Sequence, residues 1–272
     1  DPWDLDPLAK EYNVTLAMDC GLAPGMSNLF CGYFAGRMDV KQFRCLVGGL
    51  PQHPTGPLKY KAVFSPIDVI EEYTRPARIV MDGEIQTVAA LSDLEGITMA
   101  GMDLEAFNTD GLRTLLKTVN IENMVEKTIR YRGTTQYLTM LTDLGFFATS
   151  VLRVKDQLVR PIDVTAELLI PEWKMTDEDR DITLMQIMIR GEKNHAPYEI
   201  QYELIDRFDT EAGISSMART TGFTATAVTN YILNGQWDKP GLCPMELLGR
   251  DENAFHFILD YLAQRGVNYR QI

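Results

Sequence analysis

The hydrophobic residues of this chain occur in short groups that are separated by glycine, proline and charged residues. Alternation of apolar and polar residues, or a short apolar run between turn residues, predicts a strand, whereas a repeat of three to four residues predicts a helix. We predict strands over 14–18, 45–49, 60–64, 78–81, 85–89, 103–108, 124–131, 181–190 and 198–206. We predict helices over about 26–37, 66–73, 111–117, 135–144, 161–169, 215–233 and 252–265.

The order of these segments indicates the fold class. Asp82 and Gly83 form a typical hairpin turn between two predicted strands, and the polar loop GEKNHAP joins the last two strands as a second hairpin. Hairpins pair antiparallel strands, and helices separate the other strands without strict alternation. We therefore predict an α+β fold with a largely antiparallel sheet, and 272 residues suit one large domain or one domain with appendages.

The composition limits the partners. The formal charge is −12 and the sequence pI about 4.8. Nucleic-acid binding usually needs clustered lysine and arginine residues, and no such cluster stands out, so we expect no nucleic-acid partner. No apolar run approaches the roughly 18 residues of a membrane helix, so we expect no membrane partner. The sequence opens on DPWDLDPLAKEY rather than Met, and we expect it to be part of a longer protein.

The cysteines and histidines do not suggest a metal site. The four cysteines and three histidines are scattered, without the paired spacing of a closed zinc site. We therefore expect no metal, and we expect free thiols in the reducing cytoplasm.

Familiar nucleotide and nucleophile motifs are missing from the sequence. No GxGxxG opens a helix after a strand, and Met102 and Asp103 follow GITMAG (96–101), where a P-loop requires Lys and Ser or Thr. There is also no GxSxG segment and no convincing Cys–His pairing. Nucleophilic catalysis therefore has no support, and this chain alone gives no nucleotide site.

Seven segments resemble the C-terminal domain of the saccharopine dehydrogenase and lysine 6-dehydrogenase family. They are DCGLAPGMSN (19–28), GGLPQ (48–52), PLKYKAVFS (57–65), FNTDG (107–111), TIRYRG (128–133), SSMARTTG (215–222) and PGLCPMELLG (240–249). One segment is a weak signal, but seven in the family's order extend the resemblance over 1–272 as one catalytic and dimerisation domain.

The resemblance implies an NAD(P)-dependent enzyme that transfers hydride between the cofactor and a carbon bearing an amino group of an amino acid. It implies a fold similar to the catalytic half of glyceraldehyde-3-phosphate dehydrogenase, with helices on one face of a mixed sheet and the open face used in a homodimer. It also implies a Rossmann domain, absent from this chain, that binds most of the NAD or NADP and toward which residues 250–272 would pack.

The loop 21–28 is the expected contact with the cofactor. A glycine- and proline-containing loop that opens a helix presents unpaired backbone N–H groups and allows close approach. The resemblance implies that Gly21, Pro24 and Gly25 bind the cofactor here. A tight turn with Ser27 or Asn28 as the capping residue is the alternative.

Arg130 lies in a strand pattern, where a charge needs a partner. A guanidinium can bind an α-carboxylate through two parallel hydrogen bonds, and the resemblance implies that Arg130 and Thr128 bind substrate. The alternative is a surface ion pair on an edge strand. The resemblance also places Ser65, Asn108 and Thr109 at the substrate, although Ser65 could instead cap the following helix.

Oxidation of an amine by hydride loss requires a neutral amine, and the unperturbed pKa of an ammonium group is about 10. A carboxylate in a desolvated pocket could remove the proton. We predict Asp19 and Asp110 as candidate catalytic bases, although Asp110 is equally suited to be the N-cap of the helix over 111–117.

Two positions bear on the substrate. Saccharopine reductases typically have arginine where this chain has Thr109 and aspartate where it has Ala23. Saccharopine carries extra carboxylates that need cationic partners, so these differences favour a smaller substrate, as in the lysine 6-dehydrogenase branch. One alternative is a saccharopine or carboxynorspermidine reductase, since FSPIDVIEEY is similar to the NWSPE-like segment of the latter. Another is a silent dimerisation module, which Thr134 in place of a family histidine would suit.

Overall fold

The computed structural model describes residues 2–272. Its strands are β1 (Thr15–Met18), β2 (Asp39–Pro51), β3 (Ala77–Met81), β4 (Glu84–Val88), β5 (Glu95–Met99), β6 (Met102–Asn108), β7 (Asn123–Tyr131), β8 (Leu152–Val154), β9 (Gln157–Val159), β10 (Asp181–Lys193), β11 (Ala196–Arg207), β12 (Gly241–Pro244) and β13 (Tyr269–Gln271). Its α-helices are α1 (Asp6–Glu11), α2 (Met26–Ala35), α3 (Pro66–Thr74), α4 (Leu115–Thr118), α5 (Thr134–Asp143), α6 (Pro161–Trp173), α7 (Ser216–Leu233), α8 (Met245–Arg250) and α9 (Glu252–Ala263).

A mixed sheet of nine strands organises the described residues. Its order is β13-β11-β10-β2-β7-β3-β4, and β6 and β5 continue the sheet from the second half of β7. β2 and β7 run parallel, whereas β2–β10, β10–β11 and β6–β7 are antiparallel. The prediction of a largely antiparallel mixed sheet is confirmed, and the closer likeness to glyceraldehyde-3-phosphate dehydrogenase stays a prediction.

The larger core lies between the sheet and four helices. Phe43 and Cys45 of β2 are directly paired with Ile189 and Ile187 of β10, so the four side chains point to the same face. All four are fully buried and pack with apolar residues of α2, α7, α8 and α9, such as Phe30. This core fixes β2 and β7 as the rigid centre of the molecule.

A second core forms farther along the same strands. Leu46 and Leu50 of β2 and Leu184 of β10 alternate with the residues above and face the opposite side of the sheet. They belong to one apolar cluster with residues of β6, β7, α3, α5 and α6, including the fully buried Trp173. This cluster holds α3 in the position where it forms one wall of a cleft.

Both ends of the described chain join this fold. β1 pairs in parallel with β12 in a separate two-stranded sheet, and α1 lies beside it. α9 buries Phe255, Ile258 and Leu262 in the larger core, and β13 pairs with β11. Residues 250–272 thus pack on this domain itself, and a contact with a further domain, which stays a prediction, would use the exposed face of α9.

The strand predicted over 60–64 is wrong. The segment makes only an isolated bridge at Ala62, while Tyr60 and Ala62 are buried in the second core. Alternating burial in a loop that packs on the domain gives the same sequence pattern as a half-buried strand. The strand Glu95–Met99 is missed by the pattern, because its two apolar residues are too few to stand out.

The helix predicted over 111–117 is shorter than expected. The observed helix α4 spans Leu115–Thr118, and its N-cap is Thr114. Asp110 therefore does not cap this helix, and its carboxylate is free for a different contact.

Residues 2–272 contain neither a membrane-spanning helix nor a cluster of metal ligands. None of their helices is long and apolar enough to span a membrane. Nowhere in them do three His, Cys, Asp or Glu side chains come close enough together to hold a metal ion.

Candidate active site

A cleft opens beside β7, where the loop after β1 meets β2, α3 and the start of α7. Two adjoining cavities of about 440 Å³ and 460 Å³ form it. They share the lining residues Ala23, Pro24, Val47, Phe64, Glu72 and Thr128. We call them the acidic half and the apolar half, after the side chains that complete their walls.

Carboxylates dominate the acidic half. Five carboxylates and two arginines line it: Asp68, Glu71, Glu72, Asp110, Glu126, Arg75 and Arg113. α3 supplies three of the carboxylates because positions three and four residues apart share one face of a helix.

Arginines compensate three of these carboxylates. The ion pairs are Arg75–Glu71 at 3.2 Å, Arg130–Glu72 at 2.5 Å and Arg78–Asp110 at 2.8 Å. Among residues 2–272, no lysine or arginine forms an ion pair with Asp68 or Glu126. Asp68 therefore keeps an uncompensated negative charge in the acidic half, and Glu126 adds another whenever its carboxyl is ionised.

Glu126 is the deeply buried carboxylate of the acidic half, with 4% of its surface exposed. It lies on β7 two residues before Thr128 and four before Arg130, so the three side chains share one face of the strand. Gly111 lies against it, and a Cβ at that position would overlap the carboxylate. The glycine thus makes room for the carboxylate at the wall of the cleft.

The surroundings of Glu126 favour the protonated carboxyl. Burial is the largest cause of a pKa raised to about 8, and the nearby charges of Glu72 and Asp110 contribute. A hydrogen bond from Ser27 lowers the pKa but does not cancel these effects. A carboxyl with this pKa can release and accept a proton near neutral pH.

Arg130 is buried, with 1% of its surface exposed. Its guanidinium donates from Nη2 to Glu72, from Nε to the Tyr73 hydroxyl at 2.8 Å and from Nη1 to the Ile129 carbonyl at 2.8 Å. The ring of Tyr60 lies 4.3 Å from Cζ. A surface ion pair on an edge strand is therefore wrong for this residue. Because Glu72 already compensates its charge, a substrate carboxylate would have to share the guanidinium with Glu72.

Thr109 and Thr128 meet in the acidic half, as predicted for residues at the substrate. Their hydroxyl oxygens lie 3.0 Å apart, and both residues line the cleft. Ser65 and Asn108 do not line it. Ser65 is exposed and its hydroxyl does not cap α3, whereas Asn108 is buried and donates to the Ser92 hydroxyl at 3.3 Å.

The two predicted bases lie in different surroundings. Asp110 faces the acidic half, where Arg78 donates to both of its oxygens at 2.8 and 2.9 Å. Burial opposes ionisation, but these hydrogen bonds outweigh it and lower the pKa of Asp110, which makes it a weak base. Asp19 lies outside the cleft, in a separate cavity with Trp3 and Arg113, and burial raises its pKa.

The loop 21–25 forms one wall of the cleft. Gly21 and Pro24 line the apolar half, whereas Gly25 is buried behind them. Gly25 has a φ of 147°, and a Cβ there would overlap the backbone of Gly21, so this position requires glycine. Of the predicted cofactor residues, Gly21 and Pro24 are therefore accessible from the cleft, and Gly25 shapes the loop.

The backbone amides at the start of α2 are paired inside this loop. The N–H groups of Met26 and Ser27 donate to loop carbonyls at 3.0 and 3.2 Å. The Oδ1 atom of Asn28 accepts a hydrogen bond from Gly25 N–H at 3.2 Å. The expectation of unpaired N–H groups is therefore wrong for Gly25, Met26 and Ser27, and Asn28 caps the turn as the alternative proposes.

The apolar half continues over β2 to the start of α7. Gly48 and Gly49 leave part of its surface without side chains, and Met217 lines the opposite part. Its charged lining residues, Glu72 and Arg130, compensate each other. This half therefore offers a cavity with almost no net charge beside the acidic half.

A family model decides which proteins this chain is related to. The model of the saccharopine dehydrogenase C-terminal domain matches residues 21–267, a span that contains every residue lining the cleft. This chain belongs to the saccharopine dehydrogenase C-terminal domain family. The resemblance carried by the seven sequence segments is confirmed.

Curated relatives of known name agree with this family. The chain is 21% identical to saccharopine dehydrogenase [NADP(+), L-glutamate-forming] of Saccharomyces cerevisiae, over 88% of this chain and 70% of that protein. It is 27% identical to the enzyme of that name from Pyricularia oryzae, over 53% of this chain and 35% of that protein. It is 21% identical to carboxynorspermidine synthase of Vibrio cholerae, over 92% of this chain and 62% of that protein. The chain thus spans between about a third and 70% of these relatives.

A solved structure shares the fold of this saccharopine dehydrogenase C-terminal domain. It is apo saccharopine dehydrogenase (L-Glu forming) from Saccharomyces cerevisiae, with a TM-score of 0.77 and 18% sequence identity. The match covers 99% of this chain and 76% of that chain. At this identity the likeness concerns the fold.

Several cleft residues of this domain are missed by the sequence interpretation, above all Glu126 and Glu72. Glu126 had a signal: it stands at a buried position of an alternating strand, on the same face as Arg130. The reasoning that a strand charge needs a partner applies to it equally. Glu72 had no comparable signal, because a glutamate near the end of an amphipathic helix is usually solvated.

Proposed function

We propose that this chain is the substrate-binding domain of an NAD(P)-dependent oxidoreductase acting on the CH–NH or CH–NH2 group of an amino acid or amine. A lysine 6-dehydrogenase-like activity is the first candidate. Family membership supports the reaction class. The observation that carries the choice of substrate is the acidic half of the cleft, where five carboxylates face two lining arginines.

The charge balance of the acidic half favours a substrate that carries an ammonium group at the end bound in this half. Asp68 has no arginine or lysine partner among the described residues, and Glu126 adds a second uncompensated negative charge when its carboxyl is ionised, so an ammonium group is attracted to this half. The extra carboxylates of saccharopine would meet like charges here, which costs binding energy. Thr109 and Ala23, which both line this half, supply no positive charge to offset that repulsion.

Carboxynorspermidine synthase-like activity is the second candidate, because it also handles an amine chain. The segment FSPIDVIEEY, which is similar to part of that enzyme group, contributes Phe64, Asp68, Glu71 and Glu72 to the cleft. The relative from Vibrio cholerae aligns over 92% of this chain. Both candidates share an ammonium-bearing substrate, and the assay below separates them.

The apolar half suits the nicotinamide end of NAD or NADP. A flat ring without phosphate groups fits a surface of backbone and apolar side chains, here Gly21, Pro24, Gly48 and Met217. The phosphates do not suit this surface, because its arginine is paired with Glu72 and the amides of Met26 and Ser27 are already bonded, so they would be bound elsewhere. When bound, the nicotinamide supplies hydride transfer to or from the substrate carbon.

The residues of this chain would orient the substrate between the two halves. Thr128 lines both halves, and its hydroxyl, paired with Thr109, can hydrogen-bond a polar substrate group there. Arg130 stays a predicted partner of the α-carboxylate, in a shared arrangement with Glu72. Holding the reacting carbon against the nicotinamide is the main contribution expected from such a site.

A homodimer through the open sheet face is part of the proposal. Gln186, Gln201 and Glu203 are partly exposed on β10 and β11, and Ile205 beside them is 39% exposed. An exposed isoleucine beside two glutamines and a single glutamate is compatible with a protein interface. Ile205→Arg should convert a dimer to a monomer in analytical ultracentrifugation, and an unchanged mass would exclude this face.

The direct test is turnover by the protein expressed with its native flanking sequence. NAD(P)H absorbance would be followed with L-lysine, with saccharopine, and with a diamine plus an aldehyde in the reductive direction. We expect at least about tenfold higher kcat/KM for ammonium-bearing substrates than for saccharopine. Preference for saccharopine would contradict the charge argument. A folded protein that binds dinucleotide but turns over no amine would favour a silent module.

A pair of matched variants tests the acidic half itself. Asp68 and Asp163 stand in the same sequence, Pro-Ile-Asp-Val, at the starts of α3 and α6, but only Asp68 lines the cleft. Asp68→Asn should raise KM for a diamine or lysine about two- to fivefold, as expected for one exposed charge. Asp163→Asn should leave KM unchanged, and equal effects of the two variants would exclude the acidic half as the binding site.

A further inference from the structure

Most buried carboxylates of this domain have a structural task that can be read from their contacts. Glu105 accepts backbone N–H groups at the start of α5, and Asp181 accepts those at the start of α7. Asp206 pairs with Arg219, and Glu246 accepts side-chain donors between α2 and α8. Glu126 differs from all four because it lines the cleft, where a bound substrate could reach it.

The space around Glu126 is adapted to a carboxylate. Gly111 packs against it so closely that any side chain there would overlap the carboxylate oxygens. Gly111 itself has an ordinary backbone conformation, since its φ is not positive. A Cβ at this position would therefore have to displace the Glu126 carboxylate, which occupies the space that the glycine leaves.

Glu126 also stands where a reacting nitrogen would lie. It is two residues before Thr128 on the same face of β7, and Thr128 lines both halves of the cleft. The N–H of Thr109 donates to the backbone carbonyl of Glu126 at 3.1 Å, which fixes the strand against the loop after β6. A substrate whose carbon faces the apolar half would place its amino group on the side of Glu126.

We propose that Glu126 is the proton-transfer residue of this site, accepting a proton from the substrate ammonium in the oxidative direction and returning it in the reductive direction. This inference rests on the proposed function. In oxidation, an N–H bond of the ammonium breaks and its proton forms an O–H bond on the Glu126 carboxylate. The neutral amine then loses hydride from carbon to NAD(P)⁺, leaving an iminium group and NAD(P)H, and Glu126 later releases its proton to solvent.

The charged surroundings of Glu126 agree with this role. Burial and neighbouring carboxylates raise its pKa to about 8, close to the range in which a proton-transfer group works best. The titratable groups that surround it come from four elements: Glu72 of α3, Asp110 after β6, Asp19 after β1 and Cys45 of β2. The cations nearest in the same half are Arg75 and Arg113, and neither pairs with Glu126.

The first test compares Glu126→Gln with Glu122→Gln in the protein with its native flanking sequence. Glu122 is an exposed glutamate that pairs with Lys41 at 2.9 Å. With the amine that the wild type oxidises, Glu126→Gln should lower kcat about 10²–10⁴-fold and abolish the ionisation near about pH 8 in the rate profile, with unchanged dinucleotide affinity. Glu122→Gln should match the wild type.

The second measurement needs neither dinucleotide nor turnover. Infrared difference spectra of the protein between acidic and alkaline pH should contain the band of a protonated carboxyl that titrates near about pH 8. The band should be absent from Glu126→Gln and present in Glu122→Gln. A carboxyl band that is already lost below about pH 6 would overturn the proposal, because Glu126 would then be an ordinary ionised glutamate.

Gly111→Ala tests the positioning of the carboxylate while Glu126 stays in place. The added methyl group should displace the carboxylate and lower kcat at least about tenfold, since small misplacements of a catalytic group are costly. Gly222→Ala is the control, because a Cβ at Gly222 meets open space, and its rate should not change.

The outcomes separate this inference from the proposed function. Amine turnover by the wild type, with a rate and pH profile retained in Glu126→Gln or with full activity in Gly111→Ala, would overturn the role of Glu126 alone. A wild type that binds dinucleotide but oxidises or reduces no amine would overturn the proposed function and this inference together.

Discussion

Two buried glutamates show how differently this fold treats a carboxylate. Glu246, at the start of α8, is fully buried and accepts hydrogen bonds from three side chains: Thr114 at 3.0 Å, Thr118 at 2.5 Å and Asn28 at 3.4 Å. Glu126 is almost as deeply buried, but it faces a cleft, and Ser27 is a neighbouring donor. The same residue type is thus fully satisfied in one region and only partly satisfied in the other.

The difference teaches which buried carboxylate serves stability and which is available for chemistry. A buried acceptor with several donors contributes to stability, because removing it would leave those donors buried without a hydrogen-bond partner. A buried carboxylate with few donors and no cation holds a proton instead, at a cost to the stability of the folded state. Arg130 and Glu72 represent a third case, in which two buried charges compensate each other at the border of the cleft.

Arg130→Ala should have the largest effect on stability. The substitution leaves the Glu72 carboxylate without its cation in a largely buried position, which typically costs about 3–5 kcal/mol of unfolding free energy. Urea unfolding measures this loss. The control is Arg132→Ala, two residues later, whose ion pair with Asp103 is exposed on both sides and should be worth less than about 1 kcal/mol.

A double variant sharpens the same prediction. Replacing both Arg130 and Glu72 by methionine removes the pair without leaving a lone charge, and should recover most of the lost stability. If Arg130→Ala instead costs no more than Arg132→Ala, Arg130 is not held by Glu72 and is free for a substrate carboxylate, as the sequence resemblance implies.

Glu126→Gln should change stability in a pH-dependent manner. The pKa is about 8 in the folded state and near the ordinary value of 4.5 in the unfolded chain, so between these values the folded state holds a proton that the unfolded chain has lost. The stability of the wild type should therefore be fully present below about pH 4.5 and fall as pH rises through about 8, by about 3 kcal/mol at about pH 7 and by on the order of 5 kcal/mol once the fall is complete.

The variant has no proton to lose at this position, so this pH dependence should disappear. Glu126→Gln should be more stable than the wild type at about pH 9 and similar to it at about pH 5, where the wild-type carboxyl is protonated. Urea unfolding at several pH values measures the difference. Parallel stability curves for the two proteins would show that Glu126 is not protonated in the folded state.

Glu246→Gln should lower the free energy of unfolding, whereas Glu126→Gln should raise it at alkaline pH. The amide keeps the shape but loses the charge that strengthens the hydrogen bonds from Thr114 and Thr118, and its NH2 group brings donors where acceptors are needed. We expect a loss of about 1–3 kcal/mol at neutral pH in the same unfolding experiment. A stabilised variant would contradict the view that Glu246 is the satisfied member of the two glutamates.

The fold of this domain is more predictable from the sequence than its cleft. Alternation along β7 and β10 depends on neighbours two residues apart, so the strands could be located from local pattern. The family resemblance likewise located Thr128 and Thr109, which do meet in the cleft. Local patterns fail where packing of a loop imitates a strand, as at Tyr60 and Ala62.

The chemistry of the cleft depends on contacts between residues that are distant in sequence. Glu72 compensates Arg130 across 58 positions, and Arg78 holds Asp110 across 32. No periodicity relates such positions, so the sequence could not tell a free carboxylate from a paired one. The distinction between Glu126 and Asp110 as candidate bases therefore depends on tertiary structure, although both carboxylates line the same half of the cleft.

Asp110→Asn should have the smallest effect and completes the comparison of carboxylates. Arg78 lowers the pKa of Asp110, so the stability from this pair is present above the unfolded pKa near 3.8 and is lost as pH falls through the folded value. Because the Arg78 side chain is 44% exposed, the pair should be worth only about 0.5–1 kcal/mol at neutral pH. Asp110→Asn should also lower amine turnover far less than Glu126→Gln, since an aspartate held by arginine is a weak base. A larger loss of kcat in Asp110→Asn, with the ionisation near about pH 8 abolished there and retained in Glu126→Gln, would move the proton-transfer role from Glu126 to Asp110.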